Sequence, residues 1–158
     1  LQRSLLPEAL PAIAGWEVAS LYRPARTGGE VAVGGDFYDA FEIERGWLML
    51  IGDVTGKGIE AAAMTSLVRH GARFIGEQLP EPAGILARLD AALRRQSSLS
   101  LCSALCMRIE GDHLCFASAG HPLPLVVTDD GVRAVGRAEP VLGAFPDNEC
   151  RGAGLETR

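Results

Sequence analysis

Apolar and polar positions change period twice along this chain of 158 residues. The opening "LQRSLLP" reads as the tail of a helix stopped by Pro7, because the residue before a proline is pushed out of helical geometry. "WEVASLYRPA" (16–25) reads as a strand. "DFYDAFEIE" (36–44) and "WLMLIGDV" (47–54) read as two strands joined by a tight Arg45-Gly46 turn. The second is apolar on both faces, which predicts a central strand covered on both sides. The period then lengthens. Met64, Leu67, Val68, Gly71, Phe74 and Ile75 recur at helical spacing and predict a helix over about 59–77 with these residues facing inward. A second helix opens at Pro82, a favourable first-turn position. It buries Leu86, Leu89 and Leu93 and ends in Arg94 and Arg95, which suit the negative end of its dipole.

Beyond the helices the strand period returns. "LCSALCMRIE", "HLCFASAG", "PLPLVVTD" and "VRAVG" are separated by Gly111-Asp112, His121-Pro122 and Asp130-Gly131, short returns that predict an antiparallel meander. Strands, a helix pair, then strands imply an α+β layered sandwich with the helices covering a sheet. A doubly wound parallel sheet would need alternating βα units, which are missing.

Composition narrows the function. Hydrophobic residues make up 47% and charged residues 22%, values of a folded domain and not of a disordered chain. The net charge is -5 and the basic residues are scattered, so neither nucleic acid nor an anionic membrane is an expected partner. No apolar run is long enough to span a bilayer. The start lacks both a signal-peptide core and an initiator Met, so a piece of a longer, cytoplasmic protein is expected, forming one domain over 1–158. Cys102, Cys106, Cys115 and Cys150 lack metal-ligand spacing and read as small buried thiols in a reducing compartment.

The candidate chemistry lies in "GGDFYDAFEIERGWLMLIGDVTGKG", Gly34 to Gly58. Counting outward from the turn, Asp36 and Asp53 fall at the same end of the hairpin, one or two rungs out of register. Adjacent ionised carboxylates repel, so one of them holds a proton or a cation sits between them. Oxygen ligands select Mg2+, Mn2+ or Ca2+. Gly34-Gly35 and the "TGKG" turn clear side chains from around the pair, and the turn leads into a helix N-terminus, which favours anions. On the residues alone two readings stand: ordinary turn aspartates beside glycine, or metal-assisted chemistry on a phosphate.

Three motifs bear on that choice. "GGDFYDAF" (34–41), "IGDVTGKGIEAAAM" (51–64) and "SAGHPLPLVV" (118–127) strongly resemble the SpoIIE-type bacterial serine phosphatases of the metal-dependent (PPM, type 2C-like) protein phosphatases. "LQRSLLP" (1–7), "YRPA" (22–25) and "VLGAFPD" (141–147) add weaker matches in the same order. The resemblance implies two antiparallel sheets packed as a sandwich flanked by helices (α-β-β-α). It implies a pair of Mn2+ or Mg2+ ions in the complete domain, water attacking a phosphoserine or phosphothreonine, Asp36 and Asp53 as metal ligands, and the Val54 carbonyl as a backbone ligand. Further family ligands lie on a "TDG" strand and a final segment beyond "LETR". The chain is therefore expected to carry half the metal site and to lack C-terminal strands. Asp129 and Asp130 form a similar "TDDG" but fall in a turn.

Other positions admit two readings each. His121 is a polar group near the phosphoserine or a partner, or a turn histidine bonded to backbone. Lys57 attracts phosphate, or is a solvated lysine. Asp39 holds metal-bound water, or is a strand-edge residue. His70 reads as helix surface or packing, and Glu60 as a first-turn charge complementing the dipole. The leading function is a serine/threonine phosphatase domain. By resemblance its substrate is a phosphorylated anti-sigma-factor antagonist in a stress or development pathway, with "LQRSLLP" connecting to an upstream sensor domain. Homodimerisation stays open. Competing functions are a non-catalytic module that docks a regulatory protein, and a hydrolase of small phosphate esters.

Overall fold

The structure, a computed structural model, describes residues 6–23, 26–27, 30–31, 35–96, 101–145 and 152–156. Two short strands, β1 (Arg26–Thr27) and β2 (Glu30–Val31), pair with each other. They precede the hairpin of β3 (Asp36–Ile43) and β4 (Gly46–Val54). Helices α1 (Ile59–Gln78) and α2 (Pro82–Leu93) follow, then β5 (Cys102–Glu110), β6 (His113–Ala119), β7 (Leu125–Thr128), β8 (Gly131–Ala134) and β9 (Gly152–Glu156). The architecture is α+β. A five-stranded antiparallel sheet runs β3-β4-β5-β6-β9, and β7 and β8 form a separate antiparallel ribbon.

Alternation sorts the hairpin's side chains. Phe37, Phe41, Leu48 and Leu50 point to one face and pack with Met64, Val68 and Ala72 of α1 and with Ile85, Leu86, Leu89 and Leu93 of α2. The other face carries Tyr38, Met49, Ile51 and Met107, over which Leu10 and residues 19–21 pass. Farther along that face, Leu105 and Phe116 pack with Val126 and Val135 from the ribbon region. The layers are thus a helix pair, the large sheet, and a smaller antiparallel layer. Among the described residues, no helix is long and apolar enough to cross a membrane.

Several expectations need correction. Residues 17–23 form no strand; Trp16 makes only an isolated bridge to Ile13, and its indole donates to the Gly111 carbonyl at 3.0 Å. No described strand runs beside this segment to supply ladder hydrogen bonds, and Leu21 is 79% exposed. Residues 24–25 of that expected strand, and residues 1–5 of the expected N-terminal helix, lie outside the described residues; Leu6 and Pro7 are not helical. The meander stops at β6. Pro122 and Pro124 lack the N–H groups a further strand needs, the chain leaves for the β7–β8 ribbon, and β9 takes the edge of β6. The tight turn falls at Glu44-Arg45, with Ile43 opposite Gly46.

Phe74, expected inside, is 66% exposed. The cause is charge. Asp39 lies on the helix-facing side of β3 beside Phe37 and Phe41, and is 2% exposed. Arg73 donates to it through Nε at 2.9 Å and Nη2 at 2.6 Å, and Arg69 Nη2 lies 3.3 Å from Oδ2. Drawing Arg69 and Arg73 inward rotates Phe74 outward. Asp39, on the edge strand of the sheet, is therefore not part of the Asp36–Asp53 group; it is buried and clamps α1 to the hairpin. A second buried carboxylate, Asp90 on α2, accepts from Arg94 Nε at 2.9 Å and from the Gly143 N–H at 2.7 Å, tying α2 to the loop after the ribbon.

Removing one partner of a buried ion pair leaves the other charge uncompensated. Asp39→Ala is expected to lower unfolding stability by about 3 kcal/mol, toward the lower end of the usual range because Arg73 can reach water. Urea unfolding checks this; a loss below about 1 kcal/mol, the value of an exposed pair, would show that the clamp is ornamental.

Candidate active site

Asp36 opens β3 and sits directly opposite Asp53 of β4, and Asp53 sits directly opposite Ser103 of β5. The carboxylates are in register, where the sequence count placed them one or two rungs apart, because the two-residue loop ends at Arg45 and Gly46 already pairs. Directly opposed residues project from the same face. Asp36, Asp53 and Ser103 therefore form a row across three strands, on the face opposite Asp39.

Gly35 explains how the backbone closes in. Its carbonyl accepts from the Val54 N–H at 3.1 Å and from Thr65 Oγ1 of α1 at 3.4 Å. A β-carbon there would overlap the Val54 carbonyl oxygen and lie 2.7 Å from Asp53 Oδ1. Only glycine lets the Val54 carbonyl and the Asp53 carboxylate crowd the same point. The turn after β4 is pinned separately: the Thr55 N–H donates to the Leu101 carbonyl at 2.9 Å, and the Leu101 N–H donates to Thr55 Oγ1 at 3.0 Å. Gly58 then starts α1 with no side-chain cap, leaving the first-turn N–H groups clear of a capping side chain, and Glu60 supplies the first-turn charge.

His121 joins this group from the loop after β6. Its Nδ1 lies 3.0 Å from Ser103 Oγ, and Ser118 Oγ donates to its backbone carbonyl at 3.1 Å. Desolvation lowers the pKa of the imidazole, while the charges of Asp53 and Asp36 oppose that shift. The pKa of Asp53 is raised, first by partial burial and then by repulsion from Asp36, with His121 pulling the other way. Cys102, the next residue before Ser103, is pushed up to about 12 by burial and by the Asp53 charge, so its thiol stays protonated and unreactive. Burial also raises Cys106, consistent with small buried thiols; Cys115 is half-buried and Cys150 lies outside the described residues.

Of the residues singled out from sequence, the structure brings together Asp36, Asp53, the Val54 backbone and His121. Lys57 is exposed in the turn, His70 is exposed on α1, and Asp129 and Asp130 form the exposed β7–β8 turn. Sequence reasoning missed Ser103, Thr65 and Ser118. The available signal for Ser103 was a hydroxyl interrupting the apolar run "LCSALC".

The donor set suits a hard divalent cation in kind. Two opposed carboxylates gain from a cation between them, and a backbone carbonyl converges beside one of them. Mg2+ is commonly held by one or two carboxylates with water and substrate phosphate completing its shell. Among the described residues, no group of three or more His, Cys, Asp or Glu side chains comes together as a metal cluster.

Comparison with known proteins identifies the family of the chain. The family profile of Stage II sporulation protein E (SpoIIE) matches residues 43–157. Protein IcfG of Synechocystis sp. is 40% identical over 82 residues, which is 51% of this chain and 12% of IcfG. The SiaA-PP2C domain of Pseudomonas aeruginosa superposes with a TM-score of 0.68 at 29% identity, covering 80% of this chain and 52% of that one. The RsbU and RsbW domains of Rv1364c from Mycobacterium tuberculosis superpose with a TM-score of 0.61 at 29% identity, covering 78% of this chain and 36% of that one. This chain thus spans about half, or less, of the length of these relatives. With a profile matching well over half of its residues, the chain belongs to the Stage II sporulation protein E (SpoIIE) family, within the metal-dependent (PPM, type 2C-like) protein phosphatases.

Proposed function

We propose that this chain is the phosphatase domain of a protein serine/threonine phosphatase that works with Mn2+ or Mg2+, two ions in the complete domain. The observation that carries the reading is the direct opposition of Asp36 and Asp53 at the open end of one hairpin, with the Val54 carbonyl crowding Asp53 across Gly35. Asp36, Asp53 and the Val54 carbonyl would hold the cation. When bound, it polarises the phosphoryl group and makes a water acidic enough to attack near neutral pH. In the reaction the serine O–P bond breaks, water supplies the new oxygen on phosphorus, and a proton ends on the released hydroxyl.

The chain's own residues divide the remaining work. Asp36 and Asp53 fix the cation's place, and Gly35 allows the backbone to reach it. His121 offers a ring nitrogen beside the carboxylates for the phosphoryl group or the substrate protein. Lys57, exposed at the start of α1, adds positive charge on the approach side. Membership of the family and the likeness to a chain bearing RsbU and RsbW domains support a phosphorylated anti-sigma-factor antagonist as substrate, in the cytoplasm, under control of an upstream sensor domain. A non-catalytic docking module is the second reading, favoured by the small number of carboxylates that the described residues bring together.

Phosphate release from a phosphoserine peptide with added Mn2+, measured on the parent protein because this chain alone is expected to have weak or absent activity, separates the readings, with a small aryl phosphate as control for the ester-hydrolase alternative. Asp53→Asn is expected to cut kcat by more than the roughly 10–100-fold that loss of a supporting residue around a metal costs. Wild-type turnover in that variant would refute the metal-ligand assignment. Gly35→Ala is expected to weaken Mn2+ binding by at least about 10-fold in calorimetry, by forcing the Val54 carbonyl and Asp53 apart; unchanged affinity would remove the close approach from the site.

Stability gives an independent check. A raised carboxylate binds its proton more tightly in the folded state, so its contribution is favourable at acid pH and is lost as pH rises through the folded pKa. Without metal, Asp53→Asn should therefore melt about 1–2 °C higher than wild type at neutral pH, a gain that shrinks toward acid pH. Added Mg2+ should raise the melting temperature of wild type and not of Asp53→Asn. The reverse pattern would mean that the two carboxylates do not share a cation.

A further inference from the structure

We propose that Ser103 is a positioning residue for this reaction: its hydroxyl donates to His121 Nδ1 and holds the ring in the tautomer whose proton is on Nε2. The proposal rests on the phosphatase reading, since it concerns how that site presents its histidine to a phosphate.

The placement is specific. Ser103 ends the row that begins with Asp36 and Asp53, so its side chain leaves the sheet on the same side as both carboxylates. Its Oγ lies 3.0 Å from Nδ1. The loop that carries the ring is held at its backbone from three directions. Ser118 Oγ donates to the His121 carbonyl at 3.1 Å, Gly120 N–H donates to the Glu139 carbonyl at 2.7 Å, and Gly120 forms a bridge to Ala104, the neighbour of Ser103. Gly120 has φ +62, and a β-carbon there would collide with Val141, so the chain passes this point only as glycine. The backbone therefore fixes where the imidazole starts, and the rotation and tautomer of the ring are left to Ser103.

A neutral imidazole has one donor nitrogen and one acceptor, and the partner of one nitrogen decides the role of the other. A serine hydroxyl can serve in either sense. The ligand settles which sense is useful. A phosphate oxygen is attracted by an N–H and repelled by a nitrogen lone pair. A hydroxyl donating to Nδ1 leaves Nε2–H as the ring's only donor, which is the form that binds an anion. Without the hydroxyl the ring loses its partner, and both tautomers and several rotations become accessible.

Two-bond nitrogen–proton correlation spectra of the Mg2+-loaded chain, at mildly alkaline pH where the ring is neutral, read the tautomer directly. Wild type is expected to show a protonated Nε2 and an acceptor Nδ1, Ser103→Ala a mixture, and Ser103→Thr the wild-type pattern. In phosphate release from the phosphoserine peptide, Ser103→Ala should lower kcat by about 10-fold with KM changed less than about twofold, and Ser103→Thr should restore it. A wild-type ring protonated on Nδ1 overturns the proposal. So does a Ser103→Ala variant in which either the tautomer or kcat stays at the wild-type value. If Ser103→Ala fails to fold, the wild-type tautomer and the threonine variant still decide. A parent protein, carrying the segment beyond Arg158, with no metal-dependent turnover fails the phosphatase reading and takes the role of Ser103 in turnover with it; an active parent protein with an unmoved Ser103→Ala fails Ser103 alone.

Discussion

Repulsion between two carboxylates held face to face is the constraint on which the active end of this molecule depends. A hairpin with a two-residue loop has one natural register, and that register sets Asp36 against Asp53. Among the described residues no arginine pairs with them; the nearby polar groups are a serine and a half-buried histidine. Partial burial raises the pKa of Asp53, and repulsion from Asp36 adds to it. An arrangement of this kind is unfavourable while both groups are ionised, and a proton on one of them or a cation between them relieves it. The surrounding contacts keep the pair from relaxing apart. Thr65 of α1 and the Val54 N–H both hold Gly35, one residue before Asp36, and Thr55 and Leu101 hold the turn after Val54.

The other face of the same strand shows the opposite treatment of charge. Asp39 is buried, yet Arg73 meets it with a two-pronged hydrogen bond and Arg69 adds a second guanidinium. It lies three positions after Asp36, an odd offset, so alternation sends the two carboxylates to opposite sides of the sheet. One is satisfied by protein and fastens the helix layer. The other stays exposed opposite Asp53. The helix that supplies the arginines also supplies Thr65, so α1 couples the packed face to the open one. This coupling explains why Phe74 is outside although its spacing fits the apolar stripe: two ion-pairing arginines fix the helix rotation more strongly than one phenylalanine can.

Much of the site was legible in letters because it is local. Asp36 and Asp53 sit on strands joined by a short turn, and the turn alone brings them together, to within one or two rungs. The helix after Gly58, Pro82 at the start of α2, and the buried Leu86, Leu89 and Leu93 follow from spacing and propensity. The residues that were missed are those whose roles need a third strand or a distant helix. Ser103 reaches the aspartates only because β5 pairs with β4 across 49 intervening residues, the stretch between Asp53 and Ser103 in the sequence. Thr65 reads as one polar position in a helix until α1 is laid against Gly35. The expected strand at 16–25 failed over its described residues 16–23 for a related reason: propensity marks a segment that suits a sheet, but a strand exists only where a neighbour supplies hydrogen bonds.

By itself the sequence determined the two helices, the strands β3 to β6, the α+β order, the hairpin that pairs two carboxylates, and the motifs that mark the family. Those properties depend on short-range backbone preference, on period, and on turn length, all of which act within a few residues. Only the tertiary structure decided which carboxylate is neutralised by arginine and which is left open, which hydroxyl holds the histidine, and which edge β9 occupies. Each of these depends on burial and on partners far away in the chain, and the free energy of a charge or a hydrogen bond is set by its surroundings in space and not by its neighbours in sequence.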